Sequence, residues 1–155
     1  MRALKIIGAI SGVLLALLAG LFLQMRRSQT DWEAEGLKRW PMRGELVARP
    51  GGRKLRVWCE GQGPRVILES SGLGGADQYE RMIELLRSRA RVCAYDRAGF
   101  GYSDPRVEET TIAALADDLW AVAQGEPAVL VGASYGGLVA QYAARAHGPE
   151  VRGLV

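Results

Sequence analysis

A serine bracketed by glycines directly after an apolar run restricts this chain more than any other feature. Ala128-Val129-Leu130-Val131 leads into Gly132-Ala133-Ser134-Tyr135-Gly136-Gly137, which matches the pattern G-x-S-x-G. A strand that turns abruptly into a helix forces the residue at its apex into a strained backbone, and side chains on the flanking positions collide, so glycines are required there. The run that follows is helix-like, with Leu138, Val139, Tyr142 and Ala143 on its expected inner face and His147-Gly148-Pro149 as its stop. The pattern thus asks for a sheet, a sharp turn presenting Ser134, and a helix.

The remaining segments supply such a sheet. Gly44 to Arg49, Lys54 to Cys59 and Arg65 to Glu69 are short strand-like runs separated by the turn signals Pro50-Gly51-Gly52 and Gly61-Gln62-Gly63-Pro64. Tyr79, Met82, Ile83 and Leu86 fall at i, i+3, i+4 and i+7, which predicts one apolar helical face. Arg91 to Tyr95 is a fourth strand and Ala128 to Val131 a fifth. Between them Ile112, Leu115, Leu119 and Val122 form a second stripe, with Thr110 or Thr111 as N-cap and Gly125 as stop. Hairpin-like turns early and strand-helix alternation later predict an α/β fold, a mostly parallel sheet with an antiparallel edge and helices on both faces. Residues 44–155 form this domain, and Val151 to Val155 read as the start of a sixth strand that leaves the sheet incomplete at its C-terminal side.

The N-terminus is a separate unit. Ile6 to Leu23 holds no charged residue, and an apolar run of about 18 is near the minimum for crossing a bilayer. Arg2 and Lys5 precede it and Arg26 and Arg27 close it, while Leu17 and Leu18 stand where a cleavage site needs a small residue. An uncleaved single-pass anchor over residues 1–28 is therefore expected, with residues 6–23 in lipid, followed by a juxtamembrane linker over residues 29–43 that carries Trp32, Trp40 and Pro41. Basic residues on the two sides nearly balance, so charge alone assigns no orientation. The net charge of +3 is spread along the chain with no dense basic cluster, which argues against nucleic acid. Cys59 and Cys93 each lie in a strand-like run. They are either two buried thiols or a disulfide between neighbouring strands, and the second would need an oxidising compartment and place the domain outside the cytoplasm.

Three motifs in order resemble the α/β-hydrolase fold superfamily, in particular its serine hydrolases. Ser70-Ser71-Gly72-Leu73-Gly74-Gly75 is similar to the family's oxyanion loop, Asp96-Arg97-Ala98-Gly99-Phe100-Gly101-Tyr102-Ser103 to its D-R-x-G-x-G-x-S turn, and Gly132 to Gly136 to its nucleophile elbow. The resemblance implies Ser134 as nucleophile, with the backbone N–H groups of Tyr135 and Leu73 as oxyanion donors. It implies a small-molecule substrate with an ester, thioester or amide bond, opened through an acyl-serine. No cofactor and no metal are implied. The glycine-rich stretches 72–74 and 99–101 lack the third glycine of a dinucleotide fingerprint, the second running on to Asp104, and a serine at the elbow disfavours the family's aspartate-nucleophile members.

The chain departs from the pattern at Ser71, where the family commonly has histidine, at Ala133, and most of all in its later part. The family places an acid and then a histidine after the nucleophile, each on a later strand. Here the sole histidine is His147, and thirteen residues of helix at 1.5 Å each put it about 20 Å from Ser134. His147 is expected to serve the helix end, through the terminal carbonyls. Asp96 is expected to fix its turn by side-chain to backbone bonds, and Asp77, Glu80, Asp117 and Asp118 to lie on solvated helix faces. The expectation is a hydrolase in truncated form that lacks the triad acid and base. The alternative is a non-catalytic, membrane-anchored remnant or binding protein.

Overall fold

The computed structural model describes the backbone of residues 2–155, and the side chains of residue 10 onward except residue 37. Met1 and the side chains of the basic pair Arg2 and Lys5 and of Ile6 to Ala9, within the expected anchor, lie outside the described residues. The chain divides into two compact units, Met1–Met42 and Arg43–Val155.

The first unit is one helix, α1 (Arg2–Arg39), which continues through the stretch read as a linker as far as Arg39. Within it Ile10–Gly36 is long and apolar enough to cross a membrane, and none of that window is buried against protein. Val13, Leu14, Leu15, Leu18 and Leu23 are all exposed, so the helix is apolar around its circumference rather than along one stripe.

The second unit is a six-stranded sheet made of β1 (Glu45–Ala48), β2 (Lys54–Glu60), β3 (Arg65–Glu69), β4 (Arg91–Tyr95), β5 (Ala128–Gly132) and β6 (Val151–Leu154), in the spatial order β1-β2-β4-β3-β5-β6. β1 and β2 are antiparallel, as are β2 and β4, while β3 pairs in parallel with β4 and β5, and β5 with β6. The mostly parallel sheet with an antiparallel edge is as expected. The adjacency of β2 and β3 is not, since the turn between them does not make a hairpin. β4 intervenes, because strands linked by a helical crossover, as β3 and β4 are through α2 (Glu80–Leu86), align in parallel and take the covered centre of the sheet.

Alternation along the strands feeds two cores. Leu55, Val57, Ile67, Cys93, Tyr95 and Leu130 face α3 (Ile112–Ala123) and α4 (Tyr135–His147), whose Leu115, Leu119, Val122, Val139 and Ala143 are buried against them. Trp58, Leu68, Val92 and Ala94 face the other way, onto Ala76, Tyr79 and Ile83. β3 and β4 are thus covered on both faces, which is why both read as unbroken apolar runs. Thr111 is the cap of α3, its Oγ1 accepting from the Ala114 N–H at 3.1 Å, and Gln124, at φ 55°, ends the helix just before Gly125.

Two inner faces differ from expectation. On α4 Val139, Ala140 and Ala143 are buried, whereas Leu138 and Tyr142 are 53% and 47% exposed, because the helix turns its small residues to the sheet. On α2 Ile83 is fully buried while Met82 and Leu86 stay 38% and 36% exposed, since this short helix touches the sheet along one line only. Cys59 and Cys93 are directly opposed across β2 and β4 and form a disulfide.

Candidate active site

β5 delivers its last residue, Gly132, beneath Ser134, and α4 begins at Tyr135. Ser134 has φ 53° and ψ −119°, a left-handed backbone that costs a non-glycine residue on the order of 1–3 kcal/mol. Its neighbours show how that backbone is held. A Cβ on Gly132 would lie 2.6 Å from the Gly136 carbonyl oxygen, and a Cβ on Gly136 would lie 2.3 Å from the Ser70 carbonyl oxygen and 2.6 Å from that of Glu69. Only hydrogen fits at either position, so the two glycines let the turn close on itself and on the end of β3. The Gly136 N–H donates to the Ala133 carbonyl at 2.9 Å, that of Gly137 to Ser134 at 2.8 Å, and that of Ala133 to Glu69 at 3.1 Å. Ser134 itself is exposed.

The expected oxyanion loop runs past this turn. A Cβ at Gly72 would be 4.0 Å from the Tyr135 Cβ, so the loop and the first residue of α4 meet there. Tyr135 is the first residue of its helix, a position whose N–H has no partner within the helix. The Leu73 side chain is 92% exposed, at the crest of the loop.

Beneath the loop lies a polar cluster that the sequence reading left unassigned. Glu69, the last residue of β3, is fully buried. Its carboxylate accepts from the Arg97 Nε at 2.6 Å and from the Tyr95 hydroxyl. The same Arg97 guanidinium donates to the Ser71 carbonyl at 2.7 Å and to that of Ser70, and it stands 5.4 Å from the centre of the Tyr135 ring. Ser70 Oγ donates to the Gly74 carbonyl at 2.9 Å, and the Tyr79 hydroxyl to the Glu69 carbonyl at 2.8 Å. One arginine therefore grips both carbonyls at the start of the loop and touches the residue after Ser134. Burial pushes the Glu69 carboxyl up, against the pull of the Arg97 charge, and burial with the neighbouring Glu69 pushes the Tyr95 hydroxyl up as well. A single acidic residue ending the otherwise apolar run Val66-Ile67-Leu68 was the available signal for this cluster.

Asp96 does fix its turn. Its carboxylate accepts from the N–H of Ala76 at 2.7 Å and of Tyr102 at 3.1 Å, tying the D-R-x-G-x-G-x-S segment to the chain after the oxyanion loop. The buried Arg56 guanidinium lies 3.2 Å from Asp96 and 2.7 Å from both oxygens of Asp77. Asp77 is half-exposed yet paired, and its hydrogen bonds from Arg56 hold its carboxyl below the usual range. Glu80 is paired with Arg43 at the surface.

Two expectations need correction. Asp117 is exposed, but Asp118 is buried, because α3 turns it under the β1–β2 hairpin toward Arg49, Arg53 and Arg106. His147 ends α4 as expected, but its ring stacks on Trp120 of α3 with centroids 4.2 Å apart instead of serving the terminal carbonyls.

The family model described as the alpha/beta hydrolase fold matches residues 64–155, which include the expected oxyanion loop, the Asp96–Ser103 turn and the elbow. The chain belongs to the alpha/beta hydrolase fold family. Among curated proteins this hydrolase-fold chain is 37% identical over 119 residues to polyketide synthase ThaQ of Burkholderia thailandensis, across 74% of this chain and 6% of that one. Among solved structures it is similar to a thermophilic esterase from Thermogutta terrifontis, with 30% identity, a TM-score of 0.66, and coverage of 72% of this chain and 44% of that one. It is also similar to an esterase from Exiguobacterium antarcticum, with 25% identity, a TM-score of 0.65, and coverage of 72% and 43%. An epoxide hydrolase from Vigna radiata, at 24% identity and a TM-score of 0.65, covering 71% of this chain and 37% of that one, shares the fold. The chain thus spans less than half the length of these solved hydrolases.

Proposed function

We infer that residues 43–155 carry the nucleophile half of a serine hydrolase site, acting on an ester, thioester or amide of a small molecule. Ser134 Oγ forms the bond to the carbonyl carbon as its proton leaves to a base. The carbonyl electron pair moves onto oxygen, where the N–H groups of Tyr135 and Leu73 receive it, and the leaving group departs with a proton to give the acyl-serine. The left-handed backbone of Ser134, closed by Gly136 onto the carbonyls of Ser70 and Glu69, carries this reading. An ester is the first choice of substrate class, since two of the similar solved proteins are esterases.

The base and the acid come from outside these residues. His147, the sole histidine, lies a whole helix away from Ser134 and is packed on Trp120. α1 holds the protein in a bilayer through its exposed apolar girth, and the Cys59–Cys93 disulfide favours an oxidising side of that bilayer for the domain. The same histidine position favours, as second reading, a membrane-anchored binding protein that does no chemistry.

A fluorophosphonate probe applied to the protein in its native membranes distinguishes the two. Labelling lost in Ser134→Ala is the expected result. Labelling that persists in that variant assigns the nucleophile elsewhere, and a wild type that takes no label in any host membrane favours the binding protein.

A further inference from the structure

Independently of the hydrolase reading, we propose that the cleft formed by Arg49, Arg53 and Arg106 around Asp118 binds a phosphate-type oxyanion. The Asp118 carboxylate is 2% exposed and accepts from Arg49 Nε at 3.3 Å, from Arg53 Nη2 at 2.8 Å and Nη1 at 3.2 Å, and from Arg106 Nη2. Three guanidiniums therefore converge on one carboxylate. No second carboxylate lies within ion-pair distance of any of them among the described residues, although Asp117 and Glu108 stand at the rim. The Arg49 side chain is 18% exposed, that of Arg53 14% and that of Arg106 10%, so the three guanidinium charges are largely withdrawn from water, whereas Asp117 and Glu108 are exposed.

Such burial is unfavourable unless the charges are matched and their hydrogens satisfied. Arg106 leaves one unsatisfied. Its Nε is buried with no hydrogen-bond partner among the described residues, although Nη2 reaches both Asp118 and, at 3.1 Å, the Ala114 carbonyl. The three side chains line an open cleft of roughly 260 Å³, bordered by the Gly51 turn and Pro105. This volume suits a small anion rather than a drug-sized ligand. Guanidinium N–H groups match phosphate oxygens, and the donors that Asp118 leaves free on three guanidiniums favour a multiply charged group over a monocarboxylate. The phosphate arrives either free or as a lipid headgroup, and the chemistry recognised is the same.

The test is isothermal titration of the full chain in detergent at roughly 0.15 M ionic strength, with sodium chloride matching each addition. Inorganic phosphate is one titrant, and glycerol 3-phosphate, the deacylated form of phosphatidic acid, is the other. Saturable phosphate binding is expected, weakened about tenfold or more by Arg106→Gln or by Arg53→Lys, the latter keeping a cation beside Asp118 but losing the fork. Tighter binding of glycerol 3-phosphate identifies the lipid source, and equal binding the free anion; both support the site. A wild type that takes up neither titrant to about 10 mM overturns the proposal, whatever the variants do. Folded variants that bind like the wild type overturn it as well.

Discussion

The serine turn and the Asp118 cluster are held by opposite means. At the turn, main chain rests on main chain, and the sites where a Cβ would collide, Gly132 and Gly136, lie within two residues of Ser134. At the Asp118 cluster, a helix residue is held by arginines 12, 65 and 69 positions away in sequence, through side chains alone. The first arrangement is short-ranged and tolerates no added atom. The second is long-ranged, and depends on charges that water would otherwise screen. The lesson is that a motif of small residues can be read locally, whereas a buried ion cluster exists only once distant segments have met.

Substitutions can break this comparison, and Gly136→Val is expected to do the most damage. Its Cβ would meet the Ser70 and Glu69 carbonyls, both main-chain atoms that cannot swing aside. A loss of about 4 kcal/mol or more in a urea unfolding experiment is expected, with the folded fraction falling sharply. A variant of nearly wild-type stability would show the turn to be less closed than described. Next comes Asp118→Ala, which leaves three guanidiniums around an empty centre and is expected to cost roughly 3 kcal/mol by the same measurement. If that variant unfolds at the wild-type urea concentration, the arginines find water or another anion easily and the contrast with the turn fails.

The third substitution sharpens the contrast within one helix. Thr111 caps α3 through a bond to a residue three positions on, so Thr111→Ala removes a local interaction from the helix that also carries Asp118. A loss of about 1 kcal/mol is expected, clearly smaller than for Asp118→Ala. Equal losses would mean that the long-range cluster contributes no more than a cap.

The smallest effect is a slope with pH beneath the serine turn. Burial raises the folded Glu69 carboxyl above its ordinary value of 4.5, so in the interval just above 4.5 the folded state binds the extra proton. Stability attributable to Glu69 therefore falls as pH rises through that interval. Asp77 acts in the opposite sense: its folded carboxyl is held below 3.8 by Arg56, and its contribution is lost as pH falls beneath that value. Urea midpoints measured from acid to neutral pH should show a decline above pH 4.5 that Glu69→Gln flattens. A decline unchanged in that variant would assign it to another group.

Several features are legible in the amino-acid sequence alone. The runs at Arg65 to Glu69, Arg91 to Tyr95 and Ala128 to Val131 form strands because unbroken apolar segments of that length, bounded by turn residues, suit a strand covered on both faces. Ser134 takes its strained backbone because glycines flank it, and Thr111 caps α3 because its hydroxyl reaches three residues ahead. Asp96 binds its own turn for the same local reason.

The amino-acid sequence alone determined these elements, the serine turn and an N-terminal helix apolar enough for a membrane, since each rests on neighbours within a few positions. The tertiary structure decided that β2 pairs with β4, that α4 buries Val139 and Ala143 rather than Leu138 and Tyr142, and that Cys59 faces Cys93. It also decided that Asp118 lies under three arginines and that Glu69 meets Arg97 below the loop. Periodicity says that a face is apolar or charged but not what will stand opposite it. The burial of a charge follows from its partners, and those arrive from far along the chain.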